Sequence, residues 1–139
     1  MLQATAIYEP IQERLARVEV RLTDQASNRF PFLSQMLGHV YAPAGKRLRP
    51  AITLLASNFH PHDGARLRRV EIMATAVELL HIASLIHDDT VDASDFRRGK
   101  ATISSVWGRN AAVLVGDYIF ASSATFVCET GHVGVIRRF

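Results

Sequence analysis

The chain has a single cysteine, Cys128, among its 139 residues. One thiol can neither close an internal disulfide nor supply a cysteine zinc site, so a secreted fold held together by disulfides is excluded. An excess of one charge is also missing, since 16 basic and 13 acidic side chains leave a formal net charge of +3. This balance is too mild to indicate a nucleic-acid partner, and we predict none.

Long hydrophobic runs are missing as well. The most apolar stretches, residues 77–86 and 111–124, are shorter than the roughly 20 residues of a membrane span. The N-terminus has no basic start followed by an apolar run, so it is not typical of a secretory signal. These absences predict a soluble cytoplasmic protein with no membrane span.

Apolar residues recur at helical spacing along most of the chain. They predict an amphipathic helix over 7–22, a second helix over 32–40 and a third that starts at Pro50 and stops at Gly64. Residues 65–96 contain neither proline nor glycine, so we expect one long helix there. Its middle is apolar on nearly every side, which places it in the centre of the domain.

The remaining residues extend this pattern. We predict a short helix or turn over 102–107 and a helix over 111–130, with Asn110 as its N-cap and Gly131 at its C-terminal end. Small residues between 116 and 124 would let this helix approach a neighbour closely. Because no strand pair, repeat or low-complexity linker is evident, the sequence predicts an all-α fold.

Four of the 13 acidic residues fall within eight consecutive positions, namely Asp88, Asp89, Asp92 and Asp95. On a helical wheel of about 100° per residue, Asp88, Asp92 and Asp95 share a stripe about 60° wide with His81. Aspartate is a poor helix former and like charges one turn apart repel, so helix stability does not favour this cluster. A shared cation explains it, and carboxylate oxygens suit Mg²⁺.

Two basic groups accompany the acidic cluster. Lys46, Arg47 and Arg49 follow Gly45, and three further basic residues follow the aspartates: Arg97, Arg98 and Lys100. Arginine matches phosphate oxygens with two parallel hydrogen bonds, and lysine supplies a mobile point charge. Acids and bases together suggest a metal-bridged diphosphate held between arginines.

The residues themselves leave other interpretations open. The acidic run also suits a solvated helix end whose carboxylates pair with Arg97 and Arg98. The segment GKRLRP at 45–50 equally suits a solvated turn or a nucleic-acid patch. A single histidine in an apolar helix, such as His81, is often a core residue with one hydrogen bond.

Three motifs, in this order and spacing, closely resemble the trans-type polyprenyl diphosphate synthases: GKRLRP at 45–50, ELLHIASLIHDDTVDASDFRRGKAT at 78–102 and GDYIFA at 116–121. The resemblance implies that residues 1–139 form the N-terminal part of a single synthase domain. It implies an isoprenoid-synthase-type bundle of α-helices around a deep cavity, usually in a homodimer. The implied reaction is the Mg²⁺-dependent condensation of isopentenyl diphosphate with an allylic diphosphate.

The resemblance also implies roles for the residues that match its motifs. Asp88 and Asp92 would hold magnesium with Asp89 in support, and these three would be the catalytic residues. Arg97 would hold the allylic diphosphate. Four residues would hold the isopentenyl diphosphate, namely Lys46, Arg49, His81 and Arg98.

The resemblance further implies that product length depends on the residues four and five positions before the first aspartate, which here are the small residues Ser84 and Ala83. Because no aromatic side chain closes the tunnel there, we expect a product longer than C15. The wheel places Ser84 about 40° from Asp88 and Ala83 about 140° away, so it supports only Ser84 as a lining residue.

The chain departs from this family after Asp95, where the only further acids are Asp117 and Glu129. The second aspartate-rich motif of the family is therefore missing. Half a metal site does not preorganise a transition state, so we expect residues 1–139 alone to be inactive and to expose apolar helix faces such as that of 111–124. The alternatives are a non-catalytic partner subunit of a synthase and a helical diphosphate-binding module.

Overall fold

The structure is a computed structural model that describes residues 4–27, 30–41, 46–60 and 63–139. Helices make up most of these ranges, which confirms the predicted all-α fold. The elements in chain order are α1 (Ala4–Tyr8), a 3₁₀ turn (Glu9–Ile11), α2 (Gln12–Asp24), α3 (Pro31–Tyr41), α4 (Leu48–Ser57), α5 (Gly64–Val91), β1 (Phe96–Arg97), β2 (Lys100–Ala101), α6 (Ile103–Trp107), α7 (Arg109–Glu129) and α8 (Val133–Ile136).

The first predicted helix is divided in two. Pro10 lies in the 3₁₀ turn between α1 and α2, where its missing amide proton interrupts the regular helical hydrogen bonds. The apolar stripe is still present, because Ile11, Val18 and Leu22 are all buried. The spacing therefore predicted the buried face correctly but missed the interruption.

The third predicted helix also has different ends. It begins at Leu48 rather than Pro50, and Pro50 lies in its first turn, where an amide proton has no partner within the helix anyway. It ends at Ser57, and Gly64 is the first residue of α5 instead of a stop. Asp63 caps α5, since its carboxylate accepts a hydrogen bond from the Arg66 amide at 2.8 Å.

The long helix α5 ends at Val91, five residues before the predicted end at Phe96. Asp95 consequently lies beyond the helix and does not share the stripe of Asp88 and Asp92. The chain then forms a short antiparallel hairpin, β1 with β2, that the sequence prediction missed. Its two turn residues, Arg98 and Gly99, have φ values of 52° and 78°, as a type I′ turn requires.

The predicted cap of α7 is wrong by two residues. The N-cap is Gly108, whose φ of 88° favours glycine, and Asn110 already lies inside the helix. At the other end Gly131 has a φ of 61° directly after the C-cap Thr130, in agreement with its predicted place.

Helix α5 occupies the centre of the fold, as its apolar middle predicts. It packs against α7 along most of its length and against α2 and α4 on other sides. Gly116 permits the close approach of α7, because a Cβ atom there would lie 2.2 Å from Nε2 of His87. Leu79 and Ala83 of α5 and Ile119 of α7 are fully buried in the resulting core.

The outer face of α7 exposes apolar side chains around Asp117, which agrees with the expectation that residues 111–124 expose apolar groups. Leu114 is 69% exposed and Phe120 is 52% exposed. By length and composition both α5 and α7 are able to cross a membrane, although buried core helices of soluble proteins meet the same criteria. Both helices are longer than the apolar runs 77–86 and 111–124, on which the predicted absence of a membrane span was based. That absence therefore stays a prediction.

Candidate active site

A cleft of about 160 Å³ lies between α3, α5 and the hairpin. Four positively charged side chains, two carboxylates and two histidines line it together with apolar residues of α5. The charged lining residues are Arg47, Glu78, Asp89, Arg97, Arg98 and Lys100. The excess of positive charge makes the cleft suited to an anion.

The structure brings four of the predicted site residues together in this cleft, namely His81, Asp89, Arg97 and Arg98. The other predicted residues do not line it. Lys46, Arg49, Ser84, Asp88 and Asp92 are exposed, whereas Ala83 is fully buried. Gly45, the first residue of GKRLRP, lies outside the described residues.

Asp89 is 7% exposed and binds Arg97 with both carboxylate oxygens. The Nε of Arg97 donates to Oδ1 and Oδ2 at 2.9 and 2.7 Å, and its Nη2 lies 2.7 Å from Oδ1. This hydrogen bonding raises the pKa of Arg97, and the negative charges of Asp88 and Asp92 act in the same direction. Asp89 thus holds an arginine of the hairpin in the cleft. An ion pair with Arg97 was expected if the acidic run were a solvated helix end, so for Asp89 that alternative describes the contact correctly.

Asp88 and Asp92 form an exposed carboxylate pair at the C-terminal end of α5. The Asp92 amide donates to the Asp88 carbonyl oxygen at 2.8 Å, so the two residues are one helical turn apart. The last turn of α5 contains no basic residue, and a helix C-terminus itself carries partial negative charge. A cation would relieve this concentration of negative charge.

The donor set of this carboxylate pair fits Mg²⁺. Hard carboxylate oxygens suit the ion, and magnesium commonly takes only one or two carboxylates and completes its shell with water and substrate phosphate. No three or more histidine, cysteine, aspartate and glutamate side chains come together as metal ligands within the described ranges. A metal ion held by Asp88 and Asp92 would therefore have protein ligands on one side only among the described residues.

His81 lies half-buried in the cleft. Burial lowers its pKa, and the charges of Arg49, Arg98 and Arg97 lower it further, although Glu78 acts in the opposite direction. Its imidazole is consequently neutral at neutral pH. Arg49 influences His81 although it does not line the cleft, so the segment at the start of α4 lies near this side of the site.

Sequence reasoning missed several lining residues. His39 of α3 packs edge-on against Trp107, with ring centroids 5.1 Å apart, and its Nε2 lies 2.8 Å from the Ala101 carbonyl oxygen. Lys100 donates to the His39 carbonyl oxygen, so α3 and the hairpin are joined twice. His39 carries no local signal, whereas Glu78 was identifiable by its spacing of three residues from His81.

A helical core sets a basic cleft beside an exposed carboxylate pair, and the chemistry of these groups suits a metal ion and an anion such as diphosphate. Residues 30–139 match the model of the polyprenyl synthetase family, and this chain belongs to that family. The family was expected from the three motifs, and the match confirms it.

Relatives of known name agree with this assignment. The heptaprenyl diphosphate synthase component 2 of Geobacillus stearothermophilus is 37% identical over 131 residues, which cover 94% of this chain and 40% of the relative. A prenyl transferase of Porphyra purpurea is 34% identical over 137 residues, which cover 99% of this chain and 42% of the relative. The chain thus spans about 40% of the length of these curated relatives.

Solved structures show the same fold. A decaprenyl diphosphate synthase from Rhodobacter capsulatus matches with a TM-score of 0.86 and 34% identity, over 96% of this chain and 40% of that one. A polyprenyl synthase from Caulobacter crescentus CB15, complexed with calcium and isoprenyl diphosphate, matches with a TM-score of 0.86 and 32% identity, over 95% of this chain and 39% of that one. The helices of this chain therefore adopt the arrangement of isoprenoid synthases.

Proposed function

We propose that this chain forms one wall of the active site of a polyprenyl diphosphate synthase that condenses isopentenyl diphosphate with an allylic diphosphate. Residues 1–139 would be the N-terminal part of a single synthase domain. The observation that carries the proposal is the basic cleft next to the exposed pair of Asp88 and Asp92. Family membership and the calcium and isoprenyl diphosphate of the Caulobacter protein support it.

The allylic diphosphate would bind beside the carboxylate pair. Asp88 and Asp92 would hold Mg²⁺, which when bound acts as a Lewis acid on the diphosphate leaving group and orients it. Asp89 fixes the guanidinium of Arg97, whose side chain remains 39% exposed and available to phosphate oxygens. An arginine that is already oriented loses little side-chain entropy when it binds diphosphate.

The isopentenyl diphosphate would bind on the His81 side of the cleft. Arg98 lines the cleft beside His81, and the exposed Lys46 and Arg49 would complete the set of cations. The neutral imidazole of His81 is able to donate a hydrogen bond to a phosphate oxygen. Apolar lining residues of α5, Ile82 and Ile86, would face the hydrocarbon part of a substrate.

Product length is proposed to depend on Ser84. Its side chain is exposed and its hydroxyl donates to the His81 carbonyl oxygen at 2.8 Å, whereas Ala83 is buried in the core. Ser84→Phe in an active synthase should shorten a product longer than C15 because the ring would occupy the path of the growing chain. Unchanged product length, measured by chromatography of the dephosphorylated products, would contradict this role.

Calorimetric titration tests the binding proposal. Isopentenyl diphosphate with Mg²⁺ should bind the purified chain, and Arg98→Gln should weaken binding by about tenfold because a charge-assisted hydrogen bond is lost. Arg68→Gln, at the opposite end of α5, makes the same change of charge on an exposed residue and should have little effect. Equal effects of the two variants would contradict the site. Binding of an allylic diphosphate that does not change with Mg²⁺ would favour the simple diphosphate-binding module.

The chain by itself is proposed to be inactive, because Asp88 and Asp92 supply only one side of a metal site. Incubation with Mg²⁺, isopentenyl diphosphate and farnesyl diphosphate should yield no prenyl diphosphate that is longer than farnesyl diphosphate. Turnover by the purified 139-residue chain would contradict this expectation.

A second copy is the proposed partner of the exposed face of α7. Val113, Leu114 and Phe120 are exposed there around Asp117, and pairing would remove these apolar side chains from water. Light scattering after gel filtration should show a dimer, and Leu114→Glu should shift it to a monomer. A wild-type monomer would contradict the homodimer.

A non-catalytic subunit is the alternative function. One relative is named component 2 of a heptaprenyl diphosphate synthase, and the wording indicates that a further component exists for that protein. Stimulation of a complete synthase by this chain, retained after Asp88→Asn, would favour the alternative.

We also propose a cytoplasmic location. The proposal rests on the free thiol of Cys128, which suits a reducing compartment. Cell fractionation tests it, and recovery of the chain with membranes after a salt wash would contradict it.

A further inference from the structure

Arg47 adopts a backbone conformation that is unusual for its residue type. Its φ and ψ are both 45°, in the left-handed region that side chains with a Cβ atom rarely occupy. Arg47 is the N-cap of α4, and its side chain makes no capping hydrogen bond. Some other interaction must hold this conformation against its steric cost.

The guanidinium of Arg47 supplies that interaction. Its Nε and Nη2 donate to the two carboxylate oxygens of Glu19 at 2.5 and 3.3 Å, and its Nη1 donates to Glu78 at 3.0 Å. Only 10% of the Arg47 side chain and 8% of the Glu78 side chain are exposed. One arginine thus joins the start of α4 to α2 and to α5.

The residues on either side of Arg47 are among those proposed to bind isopentenyl diphosphate. Lys46 precedes it and Arg49 follows two positions later, so the backbone conformation at Arg47 sets their directions. The Tyr8 hydroxyl fixes the same segment by donating to the Lys46 carbonyl oxygen at 3.0 Å. Glu78, to which Arg47 is bound, lies one turn before His81 on α5.

We propose that Arg47 is a positioning residue, which, bound to Glu19 and Glu78, holds Lys46 and Arg49 in place beside His81. The proposal rests on the proposed function for the identity of the anion, isopentenyl diphosphate. Arg47 itself is not a ligand of that anion, because its charge already faces two carboxylates and its donors are engaged by them.

Glu19→Gln separates positioning from simple electrostatics. The substitution removes a negative charge, so electrostatics alone would tighten the binding of an anion nearby. Loss of positioning predicts the opposite sign, a weakening of isopentenyl diphosphate binding by about fivefold, as expected for loss of an oriented charged hydrogen bond. Glu13→Gln, an exposed carboxylate on the same helix, is the matched control and should leave binding unchanged.

The pKa of His81, measured without ligand, tests the positioning role of Arg47 separately from the proposed binding of isopentenyl diphosphate. In Glu19→Gln, the charge change alone would lower the pKa of His81, whereas displacement of Arg49 would raise it, because Arg49 is one of the charges that lower it. The other charges that influence His81 come from Glu78 on its own helix and from Arg97 and Arg98 on the hairpin, and none of them is altered. An NMR titration should therefore show a higher pKa for His81 in Glu19→Gln than in Glu13→Gln.

The outcomes are decisive in each case. Weaker isopentenyl diphosphate binding with a raised His81 pKa supports the role of Arg47. Unchanged or tighter binding with an unchanged or lowered pKa overturns it. Failure of the wild-type chain to bind isopentenyl diphosphate refutes the proposed function, and the pKa of His81 then still decides the positioning role. Should Glu19→Gln fail to fold, Arg47→Lys, which retains the charge but loses the paired geometry, should raise the pKa of His81 in the same way.

Discussion

The two kinds of carboxylate on α5 differ in burial and in partners. Three are buried, and each accepts hydrogen bonds from an arginine of another segment: Glu71 from Arg17, Glu78 from Arg47 and Asp89 from Arg97. Two others, Asp88 and Asp92, are exposed and make no ion pair with residues that the structure describes. Four of the five lie within one continuous helix and Asp92 is its C-cap, so the difference is due to their surroundings.

The difference separates carboxylates that hold the fold from carboxylates that are available to a ligand. A buried charge without a partner is costly, so each buried acid must have its arginine. Through these pairs α5 binds α2, the start of α4 and the hairpin. Asp88 and Asp92 join nothing to α5, and they lie at a helix end where negative charge is unfavourable. Under the proposed function, a bound cation would compensate this charge.

Glu71→Gln should give the largest loss of stability. Besides Arg17, Glu71 lies 3.9 Å from Nε of the buried Arg14. The Nη1 and Nη2 of Arg14 donate to the neutral side chains of Asn58 and Ser57, whereas its Nε has no hydrogen-bond partner among the described residues. Without the carboxylate the Arg14 charge stays buried and uncompensated, at a cost of about 3 kcal/mol in the free energy of unfolding. Urea denaturation measures this change. The exposed Glu13→Gln should cost less than about 0.5 kcal/mol, and equal losses would remove the distinction between paired and exposed acids.

Asp89→Asn should have an intermediate effect. Arg97 remains partly exposed, so solvent compensates it and the loss in unfolding free energy is about 1 to 2 kcal/mol. Because Arg97 also loses its fixed orientation, pyrophosphate binding measured by calorimetry should weaken as well. A lower free energy of unfolding with unchanged pyrophosphate binding would show that the ion pair of Asp89 and Arg97 stabilises the fold and has no part in anion binding.

Joint replacement of Asp88 and Asp92 by asparagine should stabilise the chain slightly. Removal of two like charges from a helix C-terminus gains less than about 1 kcal/mol in unfolding free energy. Magnesium affinity should fall by at least about tenfold, since loss even of groups behind the ligands has effects of that size. A marked loss of stability without a change in magnesium affinity would place these residues with the paired acids.

The fold was predictable where apolar spacing decides it. The buried positions Val18, Leu79 and Ala83 follow from helical periodicity, and the central place of α5 follows from its apolar middle. The hairpin was missed because strands of two residues are too short for a pattern of alternation. The pair Arg98–Gly99 was the available signal, since a residue followed by glycine suits a two-residue turn.

The candidate site was predictable only in part. Sequence spacing along one helix finds His81, Asp88 and Asp92, because their relation is local. It does not find His39, which reaches the cleft through the packing of α3 on the hairpin. The wheel also could not show that Asp89 is bound by Arg97, because that contact depends on the fold of the hairpin after the helix ends.

The smallest expected effect concerns the titration of His81. Burial and the nearby arginines lower its pKa in the folded chain below the ordinary value of about 6.5. As the pH falls through that value, the unfolded chain takes up a proton that the folded chain does not yet accept. The free energy of unfolding should therefore decrease below about pH 6.5, and His81→Gln should reduce this dependence.

The same titration tests whether the cleft belongs with the exposed carboxylate pair as one anion and metal site. An anion bound in the cleft offsets the arginine charges that lower the pKa of His81. Pyrophosphate should thus raise that pKa, as followed by NMR of the imidazole protons, and Arg49→Gln should raise it without any ligand. A pKa that pyrophosphate leaves unchanged would mean that the anion binds elsewhere, and the cleft would then have only the structural role of the buried ion pairs.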